Sequence, residues 1–158
     1  MEPDDLDFYR RQLLLQDFAT WIETHSKADD CIASVIDAAT MSTIILWHGP
    51  ESAELREIVN EGHRRGINVA IEQRKFSRKR LYDATHAVFD SSEIGVFSGF
   101  KIRSVAAIDP EFDGIVVGGE YLLPLDRSRA DADAALALAA SAEFDIDIAI
   151  QPGSELLW

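Results

Sequence analysis

The pattern of apolar and polar positions is densest between residues 42 and 89, where strand-like and helix-like segments alternate with almost no linker. Residues 43–47 form a short apolar run, and the proline of His48-Gly49-Pro50 ends it because proline has no amide donor for a sheet. Residues 51–65 place apolar side chains at helical spacing and charged ones on the other face. This part of the stretch predicts a strand followed by a helix.

The same alternation continues after Gly66, which is typical of the left-handed residue that ends a helix. Residues 67–72 alternate apolar and polar side chains with a period of two, as in a strand with one face on a core. Ser77 is suited to cap a second helix that runs to about residue 89. The whole stretch therefore predicts a βαβα unit.

The first part of the chain predicts an entry helix, followed by a hairpin. The apolar residues of 3–25 are expected to share one stripe that docks on the core, with aspartates near the start of the helix. Those residues are Leu6, Tyr9, Leu13, Leu14, Phe18, Trp21 and Ile22. A strand over 32–36 is expected to turn back onto the strand at 43–47.

The last third predicts a second hairpin, a helix and a final strand. Strand candidates at 100–108 and 115–117 flank a segment rich in turn residues, and Gly118-Gly119 is interpreted as a strand end or a bulge. The alanine-rich residues 128–142 favour a helix. Isoleucines alternate with polar residues over 145–150, which predicts a last strand with Asp145 and Asp147 facing water.

These elements indicate an α+β fold, with a mixed or antiparallel sheet, helices packed on one face and an N-terminal amphipathic helix. The length of 158 residues fits one domain, and no linker-like stretch divides it. We therefore predict a single compact domain over residues 1–158, with the entry helix in 1–25 and the sheet and its helices in 32–150.

The net charge of the chain limits the kinds of molecule that it is expected to bind. The formal net charge of −13 argues against nucleic-acid binding, which requires a basic field, and no apolar run is long enough to cross a bilayer. Seven basic residues nevertheless crowd the middle of the chain: Arg64, Arg65, Arg74, Lys75, Arg78, Lys79 and Arg80. One interpretation is a solvated face whose charges pair with nearby carboxylates. The other is a docking patch for a protein partner, formed by Arg74, Lys75, Arg78, Lys79 and Arg80.

No recognisable catalytic motif is present, so we expect no enzyme activity, no cofactor and no metal. Cys31 is the only cysteine, which excludes an intramolecular disulfide and a zinc site built on thiolates. Among the histidines, His48 is the best functional candidate because it follows a strand and precedes a glycine. The C-terminal Leu156, Leu157 and Trp158 are apolar for a free tail and are further candidates for partner contact.

Several segments together resemble a known family. They are residues 17–22, 32–37, 44–49, 66–69, 77–81 and 113–117. Their order and residue types resemble the pro-region that precedes bacterial chymotrypsin-fold secreted serine proteases of the α-lytic type. The resemblance implies a non-catalytic α+β domain that packs on a protease and assists its folding or restrains it. The 158 residues themselves contain neither a protease domain nor a secretion signal, so we expect either one domain of a longer precursor or a scaffold reused on its own.

Three hypotheses follow. The first is a pro-region-like module that binds a protein partner, with a serine protease domain as the candidate. The second is a small hydrolase or transferase with a site near His48, Glu72 and Arg74. The third is an acidic immunity-type protein that neutralises a basic toxin. The chain as written predicts a cytoplasmic protein, or an extracellular one if it is part of a secreted precursor. Its oligomeric state is left open.

Overall fold

The computed structural model describes residues 3–26 and 30–151 of the chain. Contacts divide the chain into two compact units, Met1–Arg78 and Lys79–Trp158, and each is described by itself. The α+β class predicted from the sequence is confirmed, with two three-stranded mixed sheets and a helix at the N-terminus. The prediction of a single domain over 1–158 stays a prediction.

The first unit contains two helices and a three-stranded sheet. In chain order these are α1 (Pro3–His25), β1 (Cys31–Asp37), β2 (Ser42–Trp47), α2 (Ala53–Arg64) and β3 (Asn68–Gln73). The strands lie in the order β1-β2-β3, with β1 antiparallel to β2 and β2 parallel to β3. The predicted hairpin and the predicted strand–helix–strand crossover are therefore both confirmed.

The core of the first unit lies on one face of this sheet. It joins residues of α1 and α2 to alternate residues of β2, because successive strand side chains point to opposite faces. Its members include Leu15, Phe18, Ile22, Ile45, Trp47, Leu55 and Ile58. Both helices thus pack on the same face of the sheet.

The entry helix differs from its predicted stripe. Phe18 and Ile22 are buried with Leu15, but Leu6, Tyr9, Leu13 and Leu14 are exposed. The prediction of one stripe was wrong because 3.6 residues per turn place Leu6, Tyr9 and Leu13 on the opposite side of α1.

Helix α2 begins and ends as its sequence suggests. The Ser52 hydroxyl accepts a hydrogen bond from the Leu55 amide, which caps the first turn. Gly66 has a φ of 75°, in the left-handed region where a residue without Cβ is favoured. Within α2, Gly62 faces Val69 and Phe18 so closely that an added Cβ would collide with both side chains. The helix therefore lies tightly against β3.

The second unit repeats the same order of elements. They are α3 (Arg78–Phe89, which starts on the last residue of the first unit), β4 (Phe100–Ala106), β5 (Ile115–Tyr121), α4 (Arg129–Phe144) and β6 (Ile148–Ile150). A short 3-10 turn at Gly95–Phe97 precedes β4. The strand order is β4-β5-β6, with an antiparallel pair followed by a parallel one.

Three details of the second unit correct the sequence prediction. Strand β5 continues through Gly118 and Gly119 to Tyr121, and the irregularity lies on β4, between Ile102 and Ser104. Asp145 adopts the left-handed conformation that ends α4, with φ 52° and ψ 46°. Asp145 therefore precedes β6. The prediction that it shares a strand face with Asp147 was wrong.

Candidate functional site

The first half of the predicted basic patch is not an open surface. The Arg74 side chain is only 4% exposed, and its Nη2 lies 2.6 Å from Glu72 Oε2. Lys75 is exposed, with Nζ 5.8 Å from the centre of the Phe76 ring. A buried guanidinium requires a paired charge, so Arg74 stabilises the end of β3 rather than presenting its charge to a partner.

The second half of the patch is also engaged within its own unit. Lys79 Nζ lies 2.7 Å from Asp83 Oδ2, one turn further along α3. Arg80 donates to the carbonyl oxygens of Phe144 and Asp145, at 2.8 and 2.7 Å, and so satisfies carbonyl groups at the end of α4. Arg78 is exposed at the start of α3. Docking through this patch stays a prediction, as does contact through Leu156, Leu157 and Trp158, which lie outside the described residues.

The structure does bring together the strand-end residues named for a hydrolase. His48 Nδ1 lies 3.0 Å from the Arg74 carbonyl oxygen, and Arg74 pairs with Glu72. Because a carbonyl can only accept, Nδ1 donates this hydrogen bond, and Nε2 is left for other partners. A general base must reach the proton that it removes, but the described structure gives His48 no hydrogen bond to a hydroxyl or thiol.

The cysteine near this strand end does not supply the missing nucleophile. Cys31 is buried at the start of β1, opposite Trp47. Burial raises the pKa of its thiol, and the nearby Ser26 side chain and the charge of Arg78 offset this only in part. The thiolate is the reactive form of cysteine, so a protonated and buried thiol is inert.

The sheet of the first unit has an exposed edge at β3. Among the strands that the structure describes, β3 pairs only with β2, and every residue of β3 except Val69 is exposed. An edge strand of this kind leaves a row of backbone N–H and C=O groups without sheet partners. Such a row is a template for a strand of another protein.

A groove lies beside this edge, between α2 and β3. It has a volume of about 190 Å³ and is lined by Glu51, Leu55, Arg56, Val59, Asn60 and Ile71. Pockets for drug-sized ligands span about 300–1,000 Å³, so this groove fits one or two side chains rather than a whole metabolite. Leu55, Val59 and Ile71 make its apolar wall, and Ile71 is 43% exposed.

The rim of the groove carries both signs of charge. Arg56 Nη1 lies 3.6 Å from Glu51 Oε1, and both side chains are largely exposed. An exposed pair of this kind contributes little to stability, about 0–1 kcal/mol. Its two charges are therefore available to orient a bound segment.

The second unit contains a polar network that the sequence analysis missed. Asp133 is 7% exposed and accepts hydrogen bonds from the Tyr121 hydroxyl and from Arg129 Nε, each at 2.8 Å. The Arg129 guanidinium lies 4.7 Å from the centre of the Tyr121 ring and also donates to the Gly119 carbonyl oxygen. The only hint in the sequence was the spacing of Arg129 and Asp133, which puts them one helical turn apart.

This network stabilises the fold and is not a reactive site. Burial, with the hydrogen bond to Asp133, raises the pKa of the Tyr121 hydroxyl well above its ordinary value. A phenol with a raised pKa is a poor base and a poor nucleophile at neutral pH. The network therefore joins α4 to the end of β5.

Comparisons of the chain with protein-family models, with curated proteins and with solved structures found no match. Within residues 3–26 and 30–151, no three His, Cys, Asp or Glu side chains are grouped so that they could bind a metal ion. No helix in those residues has the length and apolar character needed to span a membrane. The function proposed for this chain therefore depends on its own geometry and on the sequence resemblance to protease pro-regions.

Proposed function

We propose that this chain is a non-catalytic protein-binding module of the pro-region type, which receives an extended segment of its partner along the outer edge of β3. The single observation that carries the proposal is the exposed edge of β3 beside the apolar groove under α2. The edge supplies backbone groups for affinity, and the groove supplies a place for an incoming side chain.

Strand addition accounts for both parts of this surface. In a strand, alternate side chains point to the same face, so a segment paired with β3 directs every second side chain toward α2. Val59 and Ile71 form an apolar wall there, while Arg56 and Glu51 line the rim. Backbone pairing is tolerant of sequence, and the groove favours an apolar side chain at one position.

The resemblance to protease pro-regions supplies the candidate partner. It favours a bacterial chymotrypsin-fold serine protease, whose folding or activity the module would assist or restrain. The protonated Cys31 thiol and the lack of a described nucleophile beside His48 favour binding over hydrolysis. Both observations support the first of the three sequence hypotheses over the second.

The test is to measure inhibition of such a protease, and recovery of its activity on refolding, with the purified chain and with an Ile71→Lys variant. Ile71 is half-exposed on the groove wall, so the variant should fold normally while placing a charge where an apolar side chain is received. We expect binding to weaken about tenfold or more, as for loss of a buried interface contact.

A matched control is Leu138→Lys, at an exposed position of α4 in the second unit, which should bind as the unaltered chain does. Hydrogen exchange of the complex gives an independent reading, because strand addition should protect β3 amides. Equal binding by the Ile71 and Leu138 variants would contradict the proposal. So would hydrolysis of a substrate by the purified chain that disappears on changing His48.

A further inference from the structure

The N-terminal half of α1 carries a second apolar stripe on the side away from the sheet. Leu6, Tyr9 and Leu13 are between 43% and 54% exposed. They precede the buried Leu15, Phe18 and Ile22 by nine residues each, which is two and a half turns at about 3.6 residues per turn. The exposed stripe is therefore diametrically opposite the side of α1 that packs in the core.

The spacing of this outer stripe is that of a helix-pairing seam. Leu6, Tyr9 and Leu13 are three and four residues apart, the alternation found at the a and d positions of a heptad. The next positions in the same series are Gln16 and Thr20, which are polar. The apolar seam is therefore confined to the first half of α1, and it is a short one.

The residues that flank the seam carry opposite charges. With Leu6 and Leu13 at a and Tyr9 at d, Asp5 takes the g position and Arg10 the e position. In a parallel pair of helices, a g residue of one helix faces the e residue five positions further along the other. Asp5 of each copy then faces Arg10 of the second copy, so two ion pairs form by symmetry.

Charge also selects the direction of the pair. An antiparallel arrangement centred on Tyr9 would set Arg10 against Arg10 of the second copy, which is repulsive. Arg11, which follows it, is directed inward: it pairs with Asp7 at 3.1 Å and donates to the Ala39 carbonyl oxygen. Arg10 and Asp5 have no ion pair with any described residue, so both are available for pairing across the seam.

We infer that α1 binds α1 of a second copy of this chain, as a parallel two-fold helix pair with Leu6, Tyr9 and Leu13 at its centre. The sheets of the two first units then lie on opposite sides of the helix pair, because the core face of α1 points away from the seam. This goes beyond the proposed function, since it uses a surface other than β3 and its groove.

The interface is small. Three apolar side chains per helix fall well below the roughly 1,200 Å² buried by a standard specific interface, so the dimer is weak and depends on concentration. Each copy carries a net charge of −13, so the two copies repel each other, but physiological salt screens this repulsion beyond about 8 Å. The charges of a directly contacting ion pair are closer than this, so salt screens their attraction less.

The first test is sedimentation equilibrium of the whole chain from about 10 μM to about 1 mM, a range in which a weak dimer is resolved. We expect reversible dimerisation that is lost in a Leu6→Ser, Leu13→Ser double variant. The matched control is Leu14→Ser, which removes an equally exposed leucine from the same helix but off the seam. A chain that is monomeric throughout, or dimers unaffected by the double variant, would overturn the inference.

The second test reverses the flanking charges. Asp5→Arg places two cations at each contact and Arg10→Asp places two anions, and each change should weaken the dimer by about tenfold. The double variant Asp5→Arg, Arg10→Asp restores opposite charges and should recover the original affinity. Failure of the double reversal to recover it would overturn the parallel arrangement. Because none of these residues lies on β3 or its groove, the protease assay separates this result from the proposed function.

Discussion

The two units share one order of elements and one strand pairing, yet they are stabilised differently. The first unit buries large apolar side chains, among them Trp47 and Phe18, on one face of its sheet. The second buries Phe97 and Phe100 but also holds Asp133 inside a network with Tyr121 and Arg129. The first unit also buries a charge, since Arg74 lies inside and pairs with Glu72, two residues before it in the chain. The same topology is therefore compatible with a buried cation paired within one strand end and with a buried carboxylate bound by groups of both β5 and α4.

The two units also differ in what surrounds a closely packed glycine in each. In the first unit, an added Cβ at Gly62 would meet the ends of two side chains. In the second, one at Gly119 would meet the Lys101 carbonyl oxygen and the Phe100 ring, which covers this glycine as aromatic residues in sheets often do. Packed side chains shift more readily than the backbone of a paired strand. Gly119 therefore tolerates an added methyl group less well than Gly62 does.

The largest predicted effect follows from this contrast. Gly119→Ala should lower the free energy of unfolding by about 3 kcal/mol, because the new methyl group collides with a backbone carbonyl. Gly62→Ala should cost less, about 1–2 kcal/mol, because the helix propensity that alanine gains, about 0.8–1.0 kcal/mol, offsets part of the overpacking against Val69 and Phe18. Urea unfolding of the two variants measures the difference, and equal losses would refute the contrast.

The next prediction concerns the network of the second unit. Asp133→Ala leaves the Tyr121 hydroxyl and the Arg129 guanidinium without their shared acceptor, which should cost about 1–3 kcal/mol. The loss should appear in the amide exchange of α4 and β5. The control is Asp131→Ala on the same helix, where the side chain is exposed and the change should be small. Similar effects of the two substitutions would show that the network does not stabilise the unit.

The same network predicts a dependence on alkaline pH. The pKa of Tyr121 is raised in the folded chain, so the folded state binds its proton more tightly than the unfolded state does. This contribution to stability is fully present below the ordinary tyrosine pKa of about 10 and is lost as the pH rises above it. Tyr121→Phe should flatten the decline of stability between about pH 10 and 11. An unchanged pH profile in that variant would contradict the assignment.

The smallest prediction concerns the first unit and has the opposite sign. Thr43 is fully buried in β2, and its hydroxyl has no hydrogen-bond partner among the described residues. Thr43→Val keeps the shape of the side chain and removes the unsatisfied group, so it should raise stability by about 1 kcal/mol. Chemical denaturation checks the sign. A loss of stability would indicate that the hydroxyl is satisfied in solution.

Much of the fold could be predicted from the sequence. The strand at 43–47, the left-handed Gly66 and both hairpins were confirmed, because periodicity and turn chemistry are local properties of the chain. The burial of α1 was mispredicted. Apolar residues lie on two opposite sides of this helix, and a pattern alone does not reveal which side meets the sheet.

The candidate site was less accessible to sequence reasoning. His48, Glu72 and Arg74 were correctly grouped, since strand ends meet at one edge of a sheet. The groove under α2 was not foreseen, because Val59 and Ile71 belong to separate elements whose distance depends on packing. Of the two interpretations of the basic residues, pairing with nearby carboxylates holds for Arg74 and Lys79, whereas the bond of Arg80 to helix carbonyls was not foreseen.

The sequence by itself determined which segments form helices and strands, where several of them end, and that the chain carries a strong negative charge. Secondary structure depends on neighbouring residues, and net charge depends on the numbers of acidic and basic residues. Only the tertiary structure decided which side of α1 is buried, that Arg74 lies inside, and that Asp133 joins Tyr121 to Arg129. These outcomes depend on how the helices and strands pack, because burial and pairing are properties of packed surfaces and not of local order.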